Sequence, residues 1–225
     1  MSEHIKIDVW SDIACPWCYI GKRRLEAGLE AYRAGGGALP VEVEYHSFQL
    51  APELPVGDID LGKQRDVLAR RKGIDVERAE QMMRQVSEVA ASVGLSYDMN
   101  AVRMTNTLGA HSLLHLAKTH GRQPEAVERL FAAYFSEGRH LGSVEELAAL
   151  AAEIGLDGEE ARKALEAGSY LDAVRADQEQ AYRYGINGVP FYVVDGKYGI
   201  SGAQGPELFQ QALTTVQAER REEAA

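Results

Sequence analysis

Two cysteines, Cys15 and Cys18, are the residues of this sequence whose type and spacing most clearly indicate chemistry. They are the only cysteines in 225 residues, and Pro16 and Trp17 stand between them. The pair follows a short apolar segment and precedes a segment in which apolar residues have helical spacing. In this strand–turn–helix context, a C-x-x-C pair is typical of a redox site. The sequence therefore predicts thiol–disulfide chemistry at this turn.

The predicted helix start gives a physical reason for reactive thiols. Backbone N–H groups of a first helical turn have no intrahelical partner, and the helix dipole has its positive end there. Because both effects favour a thiolate, we expect Cys15 to be the solvent-reachable, reactive thiol. Cys18 lies one turn further, and we expect it to be more buried and to attack a mixed disulfide on Cys15. Pro16 suits the first helical turn, where its missing N–H costs nothing.

Two structural interpretations compete with a catalytic pair. A zinc site needs four ligands, and the sequence has no second C-x-x-C pair. His111 and His115 are four positions apart on a predicted helix, so a shared metal ion is an alternative to ordinary hydrogen bonding. A structural disulfide between the two cysteines would close a very short loop and constrain the unfolded chain little. The sequence favours a catalytic pair, and we predict no metal site.

Composition is that of an ordinary globular protein and argues against nucleic acid or membranes as partners. Hydrophobic residues make up 45% and charged residues 26% of the chain, and the net charge is −10. No cluster of lysine and arginine is long enough to follow a phosphate backbone. We see no signal peptide and no apolar run long enough to cross a membrane. We therefore expect a cytoplasmic protein, in which structural disulfides are rare.

Hydrophobic periodicity predicts a small sheet interrupted by a long helical segment. Apolar residues recur at every second position over 5–10 and 41–46, which predicts two strands, and a helix lies between them. From about residue 60 to residue 184 the apolar residues recur at helical spacing. We therefore predict one α/β domain built from residues 1–59 and 185–225. Residues 60–184 are predicted to be an inserted helical domain laid over the active-site face.

The C-terminal segment predicts the remaining strands and a last helix. Residues 191–194 are a β-type run, the dipeptide Asp195-Gly196 is a hairpin turn signal, and residues 198–200 predict the returning strand. Pro206 is expected to open the last helix, and the charged tail from Glu219 is expected to fray. This segment completes the predicted sheet.

Pro190 stands at the entrance of the third predicted strand. Proline cannot donate to a sheet ladder, and a cis peptide is cheap only at X-Pro bonds. A cis Val189–Pro190 bond would turn the backbone of Val189 towards an extended ligand. The alternative is a trans proline that merely begins a strand.

Several segments together carry a family resemblance that spans nearly the whole chain. They are Asp12-Ile13-Ala14-Cys15-Pro16-Trp17-Cys18-Tyr19-Ile20-Gly21, Phe48-Gln49-Leu50, Asn106-Thr107-Leu108, Ala133-Tyr134-Phe135 and Gly188-Val189-Pro190-Phe191. In this order they resemble the DsbA family, and more narrowly its FrnE-like branch. The resemblance implies an α/β thioredoxin fold with a large all-helical insertion, and it implies thiol-disulfide oxidoreductase activity.

The resemblance also implies roles for individual residues. Cys15 would be the nucleophile and Cys18 the resolving thiol, with no cofactor required. Substrate would be bound by Pro16, Trp17, Val189 and the cis-proline Pro190. The family's buried acid beneath the thiols, a proton relay, falls near Asp8. The implied partners are protein or small-molecule thiols and disulfides.

Related families leave two alternative functions open. Kappa-class glutathione transferases and 2-hydroxychromene-2-carboxylate isomerases resemble the same branch and bind glutathione against the same proline. Their first cysteine position is typically serine, whereas this sequence keeps both thiols. A glutathione-dependent isomerase or transferase, with glutathione as co-substrate, is one alternative. A non-catalytic binding or chaperone module is the other, although such a module has no need for a C-P-W-C pair opposite a cis-proline.

Overall fold

A four-stranded mixed sheet is the centre of the fold. The computed structural model describes residues 4–59 and 61–223. Its strands are β1 (Ile5–Ser11), β2 (Val41–Ser47), β3 (Phe191–Val194) and β4 (Tyr198–Ser201). Their order is β2-β1-β3-β4, with β1 parallel to β2 and β3 antiparallel to both β1 and β4. The predicted strands are therefore present, and the cysteine pair follows β1, which is an inner strand of the sheet.

The two faces of β1 carry different side chains. Ile5, Ile7 and Val9 are buried on one face, where they share a core with α1 (Pro16–Ala34) and α9 (Pro206–Glu223). The two helices approach closely at Gly28, where an added Cβ would lie 2.7 Å from the Cβ of Phe209. Only glycine permits this approach. The contact fixes α1 against the sheet with its N-terminus just beyond the end of β1.

Helices occupy the described chain between β2 and β3. They are α2 (Gln64–Lys72), α3 (Val76–Ser92), α4 (Leu108–Thr119), α5 (Gln123–Phe135), α6 (Val144–Glu153), α7 (Gly158–Glu166) and α8 (Leu171–Arg183). Ser143 and Asp157 cap α6 and α7 by accepting hydrogen bonds from backbone N–H groups of the first turn. The patterns Ser143-x-x-Glu146 and Asp157-x-x-Glu160 predict these helix starts. None of the described helices is both long and apolar enough to span a membrane.

The helical segment and the sheet share one hydrophobic core. Buried residues of β1, α1 and α9 form a single cluster with residues of α3, α4, α5 and α6. A smaller cluster of Trp10, Phe48, Ala181 and Ile186 lies under α8 on the opposite face of the sheet. The division that we predict at residue 60 falls on Asp60, and this residue, like 1–3 and 224–225, lies outside the described residues. The insertion is thus a separate segment of the chain, but its buried residues complete the core of the sheet.

Two predicted helix ends differ from the structure. We predict a helix from Thr105, but α4 begins at Leu108, because Asn106 ties the preceding segment to a loop: its amide Nδ2 donates to the Leu54 carbonyl at 2.7 Å. We predict fraying from Glu219, but α9 continues to Glu223, because Glu219 accepts a hydrogen bond from the Tyr198 hydroxyl. In both cases a long-range hydrogen bond overrides local sequence preference.

Candidate active site

The N-terminus of α1 holds both cysteines. Cys15 is the N-cap residue, with Pro16 in the first helical turn. The Cys15 N–H donates to the carbonyl of Asp12 at 3.0 Å, and the Cys18 N–H donates to the carbonyl of Cys15 at 3.0 Å. These bonds make a tight turn that places the two side chains on neighbouring positions of the helix start. The predicted strand–turn–helix setting of the pair is confirmed.

Both cysteines are free thiols, and both are buried. Cys15 is 4% exposed and Cys18 is 3% exposed, so the two side chains are buried to nearly the same extent. The two differ in what they face, because Cys15 lines a large cleft and Cys18 does not. Burial raises the pKa of the Cys18 thiol, and the neighbouring Cys15 sulfur raises it further. Ser11 and the backbone of Asp12 act in the opposite direction and lower the pKa of Cys18.

The segment that enters β3 lies against Cys15. The Cys15 thiol donates to the carbonyl of Val189 at 3.6 Å, across 174 positions of sequence. The Val189–Pro190 peptide bond is cis. The carbonyl of Pro190 accepts a hydrogen bond from the Gly202 N–H at 2.8 Å, which ties this segment to the end of β4. Residues Val189 and Pro190 are thus brought to the thiols, as we predict.

Gly21 permits the close approach of α1 to this segment. A Cβ at position 21 would lie 3.0 Å from Cγ of Pro190 and 2.3 Å from the hydroxyl of Tyr192. The sequence includes Gly21 in the matching motif but gives no sign of this contact. Gly21 therefore contributes to the site only by leaving room for Pro190 and Tyr192.

Asp12 is a buried carboxylate that our sequence reasoning missed. It is 1% exposed, and it lines the same cleft as Cys15. Burial alone would raise the pKa of Asp12, but His111, at 3.4 Å from its carboxylate, and the backbone N–H groups of Leu50 and Ala14 keep that pKa below its usual value. The carboxylate thus ties the motif to the loop after β2 and carries a negative charge beside Cys15. Its only signal in the sequence is its position three residues before Cys15.

A cleft of about 590 Å³ opens beside Cys15. The motif contributes Ala14, Cys15, Pro16 and the 43% exposed Trp17, and the insertion contributes Met82, Met83 and residues of α2. The insertion therefore walls a cleft next to Trp17, as we predict. Phe48 and Phe135 do not line this cleft, because Phe48 belongs to the cluster under α8 and Phe135 to the main core.

The structure does not bring Asp8 to the thiols. Its carboxylate lies 2.7 Å from Nε2 of His46 and 2.8 Å from Nζ of Lys6. Side chains alternate along a strand, so Asp8 and Ser11 point to opposite faces of β1. Ser11 is on the face of the thiols, where it contacts Cys18. The residue that occupies the position expected for Asp8 is thus a serine.

One group of possible metal ligands occurs among the described residues, and it surrounds Asp8. Asp8, Glu44 and His46 offer atoms within 4.8 Å of one another. The ammonium of Lys6 lies 2.8 Å from both carboxylates, so this position already has a cation and the group fits an ion-pair network better than a metal site. Asp8 and Glu44 face away from the cysteines.

The two histidines at helical spacing have separate acidic partners. His111 lies beside Asp12 at the cleft, whereas His115 has Nε2 3.1 Å from a carboxylate oxygen of Asp177 on α8. The two histidines thus contact different carboxylates, and the structure does not direct them to a common ligand.

A thioredoxin-type sheet, a C-x-x-C pair at the start of its first helix and a helical insertion beside the pair define a class of thiol oxidoreductase folds. The chain belongs to the DSBA-like thioredoxin domain family, whose profile matches residues 6–214. The resemblance to DsbA proteins and the predicted fold class are therefore confirmed.

Similar proteins cover almost the whole chain. The chain is 39% identical to a probable DsbA oxidoreductase from Streptomyces coelicolor, with a TM-score of 0.87 over 96% of this chain and 91% of that one. It is 29% identical to the uncharacterized protein YwbO of Bacillus subtilis, over 98% of this chain and 100% of YwbO. The cytosolic disulfide reductase DsbM of Pseudomonas aeruginosa shares the fold, with 20% identity and a TM-score of 0.66 over 95% of this chain and 98% of DsbM.

Proposed function

We propose that the protein is a thiol-disulfide oxidoreductase that works through Cys15 and Cys18. The observation that carries the proposal is the arrangement of two free thiols at a helix start, with only Cys15 facing the cleft and the Val189 carbonyl. Cys15 is then the nucleophile and Cys18 the resolving thiol. Membership of the family supports an oxidoreductase, and the assignment of these two residues is our own.

The exchange proceeds in two displacement steps. The Cys15 thiolate attacks one sulfur of a substrate disulfide, a Cys15–substrate disulfide forms, and the second substrate sulfur leaves as a thiolate. Cys18 then loses its proton, attacks Sγ of Cys15, and releases the first substrate sulfur as a thiolate. The two cysteines end as a disulfide, and the substrate has gained two electrons. A cellular dithiol would return the pair to its reduced form.

The pKa of Cys18 differs between the two steps. Burial raises the pKa of Cys18, and a negative charge on Cys15 raises it further, so Cys18 keeps its proton during the first displacement. A mixed disulfide on Cys15 has no charge, so one of these two causes disappears when the substrate is attached. The Cys18 proton therefore leaves more easily at the stage at which its thiolate is needed.

Substrate would lie along Pro16, Trp17, Val189 and Pro190. The Val189 carbonyl is within 3.6 Å of the Cys15 sulfur, and Trp17 is exposed beside it. A backbone acceptor at this distance can hold an extended segment whose sulfur meets Cys15. We propose a cytoplasmic location from the sequence, and the name of DsbM, a cytosolic disulfide reductase, is in keeping with it.

The test is the stoichiometry of a single turnover with 5,5′-dithiobis(2-nitrobenzoate). Wild type should release two coloured thiolates per protein, because Cys18 displaces the second one. Cys18→Ser should release one and keep a stable mixed disulfide on Cys15, which peptide mapping locates. Cys15→Ser is the matched control and should form no adduct at the cleft. A wild-type product that carries one reagent adduct on each cysteine in place of a Cys15–Cys18 disulfide, or preferential labelling of Cys18 in wild type, would contradict the assignment.

A glutathione-dependent isomerase or transferase is the second candidate. A DsbM structure contains GSH, and a 2-hydroxychromene-2-carboxylate isomerase shares the fold at a TM-score of 0.67 and 13% identity. In such a mechanism the first residue only orients the glutathione thiolate, so Cys18→Ser should keep most turnover. Glutathione-dependent turnover by Cys18→Ser without a trapped species would favour this candidate. If wild type shows neither thiol-disulfide exchange nor glutathione-dependent turnover, the non-catalytic binding or chaperone module is the remaining alternative.

A further inference from the structure

The methionines of the described chain are concentrated at one place. Met82, Met83, Met99 and Met104 all line the cleft beside Cys15, and Met1 is the only other methionine in the sequence. Methionine side chains are unbranched and polarisable, and they adapt to apolar ligands of varied shape. With Trp17 and the aliphatic residues around them, they make a wall suited to an apolar ligand.

Few charged residues line the cleft, and more of them are basic than acidic. Asp12, Arg71 and Lys72 are the charged side chains among its lining residues. Asp12 has His111 beside it, and Arg71 has Glu53 at 3.2 Å and donates to the Leu50 carbonyl. Lys72 has no ion-pair or hydrogen-bond partner among the residues that the structure describes. An anionic group on a ligand could therefore pair with the Lys72 ammonium.

The size of the cleft favours a small ligand. Its volume of about 590 Å³ lies within the range of about 300–1,000 Å³ that is usual for small-molecule sites. Cys15 is 4% exposed, so a disulfide held on the surface of a folded protein cannot reach its sulfur without entering this space. A compact disulfide can enter it completely.

We propose that the cleft selects small disulfides, or the corresponding thiols, that combine an aromatic or similarly apolar body with a carboxylate. The apolar body packs against the methionine wall, the carboxylate pairs with Lys72, and the sulfur meets Cys15. This inference rests on the proposed thiol-disulfide exchange and names its substrate class. The chemistry is that of the two steps above: the ligand disulfide gains two electrons and leaves as two thiolates, and Cys15 and Cys18 form a disulfide that an added dithiol reduces again.

The experiment compares three disulfides in stopped-flow single turnovers of the reduced protein. They are 5,5′-dithiobis(2-nitrobenzoate), which is aromatic and carboxylated, 2,2′-dithiobis(5-nitropyridine), which is aromatic and neutral, and glutathione disulfide, which is polar. Each rate is divided by the rate of the same disulfide with N-acetylcysteine, which removes the intrinsic reactivity of the reagent. The normalised rate should be highest for the carboxylated aromatic disulfide, and this rate should saturate with concentration.

Variants separate the two parts of the proposed site. Lys72→Gln should raise the half-saturating concentration of the carboxylated disulfide roughly three- to tenfold and change that of the neutral one less than twofold. Arg70→Gln is the matched control, because it removes the same charge from the same turn of α2 but does not line the cleft. Met82→Gln should weaken saturation by both aromatic disulfides, and Leu208→Gln, exposed on α9, should not.

The outcomes distinguish this inference from the function on which it rests. If wild type exchanges with none of the disulfides and insulin is not reduced, the proposed function fails. If wild type reduces insulin and glutathione disulfide but shows no saturation with either aromatic disulfide, the function stands and the substrate class is overturned. Equal effects of Lys72→Gln and Arg70→Gln would overturn the role of Lys72. Saturation by an extended peptide disulfide alone would make the cleft part of a polypeptide site and would also overturn the proposal.

Discussion

Ser11 is the last residue of β1, and its side chain lies next to Cys18. The hydroxyl is buried and has no partner at normal hydrogen-bond geometry, while its effect is to lower the pKa of Cys18. Buried polar groups without partners are rare, and a hydroxyl beside a thiol gains a strong acceptor when the thiolate forms. We infer that Ser11 is a positioning residue for the resolving step.

Ser11→Ala should therefore slow the attack of Cys18 and spare the attack of Cys15. Without the Ser11 hydroxyl, the Cys18 thiolate loses a hydrogen bond and is less stable. We therefore expect release of the second substrate thiolate to slow by roughly tenfold. The first release should change less than twofold. Two-phase stopped-flow absorbance with an aromatic disulfide measures both rates. Ser112→Ala, which changes a second buried serine, on α4, is the control. Equal slowing of both phases would point to a general structural defect.

Asp8 and Asp12 show how far residue roles could be predicted from the sequence. The cysteine pair and Val189–Pro190 could be placed together, because their types and their positions relative to strands carry the chemistry. Asp8 could not be placed correctly, because a shift of one residue in a strand moves a side chain to the other face. Asp12 could not be recognised, because its partner His111 is 99 positions away and only the folded chain brings them together.

At the scale of elements, α1 depends on glycine where it meets the segment before β3. Gly21→Ala would place a Cβ 2.3 Å from the Tyr192 hydroxyl and 3.0 Å from Pro190. In an unobstructed helix, glycine to alanine stabilises by roughly 1 kcal/mol. Here overpacking should reverse the sign and destabilise the protein by about 1–3 kcal/mol.

Urea unfolding measures this effect, and the exchange rate measures its consequence at the site. Gly188→Ala is the matched control, because a Cβ at Gly188 has no atom within 4 Å. We expect Gly188→Ala to keep wild-type stability and Gly21→Ala to lose both stability and rate. A more stable Gly21→Ala protein would show that α1 can move away from Pro190 without cost.

Local sequence signals predicted the elements well where the signal and its partner are close in the chain. The Asp195-Gly196 turn has positive φ at both residues, which is the backbone of the hairpin turn that this dipeptide favours. The caps at Ser143 and Asp157 are also local. The start of α4 is not, because Asn106 is held by Leu54 and by Gln49, more than 50 positions earlier.

The whole molecule has one large core, and this explains what periodicity could not show. Periodicity separates residues 60–184 from the sheet, but the apolar faces of these helices complete the core of β1 and α1. Which face of the sheet each helix covers depends on pairs that no local pattern contains. α8, for example, is held under β1 and β2 by a buried polar network in which Asp177 contacts both His46 and His115.

This network makes the stability of the whole molecule depend on pH. His46 has Nε2 2.7 Å from Asp8 and Nδ1 3.0 Å from Asp177, with Glu44 at 3.7 Å. Burial alone would lower the pKa of His46, but the hydrogen bonds that its ring donates to Asp177 and Asp8 outweigh burial and raise the pKa to about 9. As the pH rises, the unfolded state, with a histidine pKa of about 6.5, therefore releases this proton at a lower pH than the folded state does.

The free energy of unfolding should accordingly be highest below about pH 6.5 and should fall as the pH rises through about 9. A shift of this size corresponds to a loss of up to about 3 kcal/mol. Urea unfolding at a series of pH values from 6 to 10 measures it, and His46→Gln should flatten the profile. His120→Gln, whose partner Glu160 is exposed, is the control and should leave the slope unchanged. Because His46 joins the sheet to the last helix of the insertion, loss of its proton should loosen α8 before the cysteine pair is disturbed. Hydrogen exchange at pH 9 should then rise first in α8, and a uniform rise across the sheet and α1 would contradict this order.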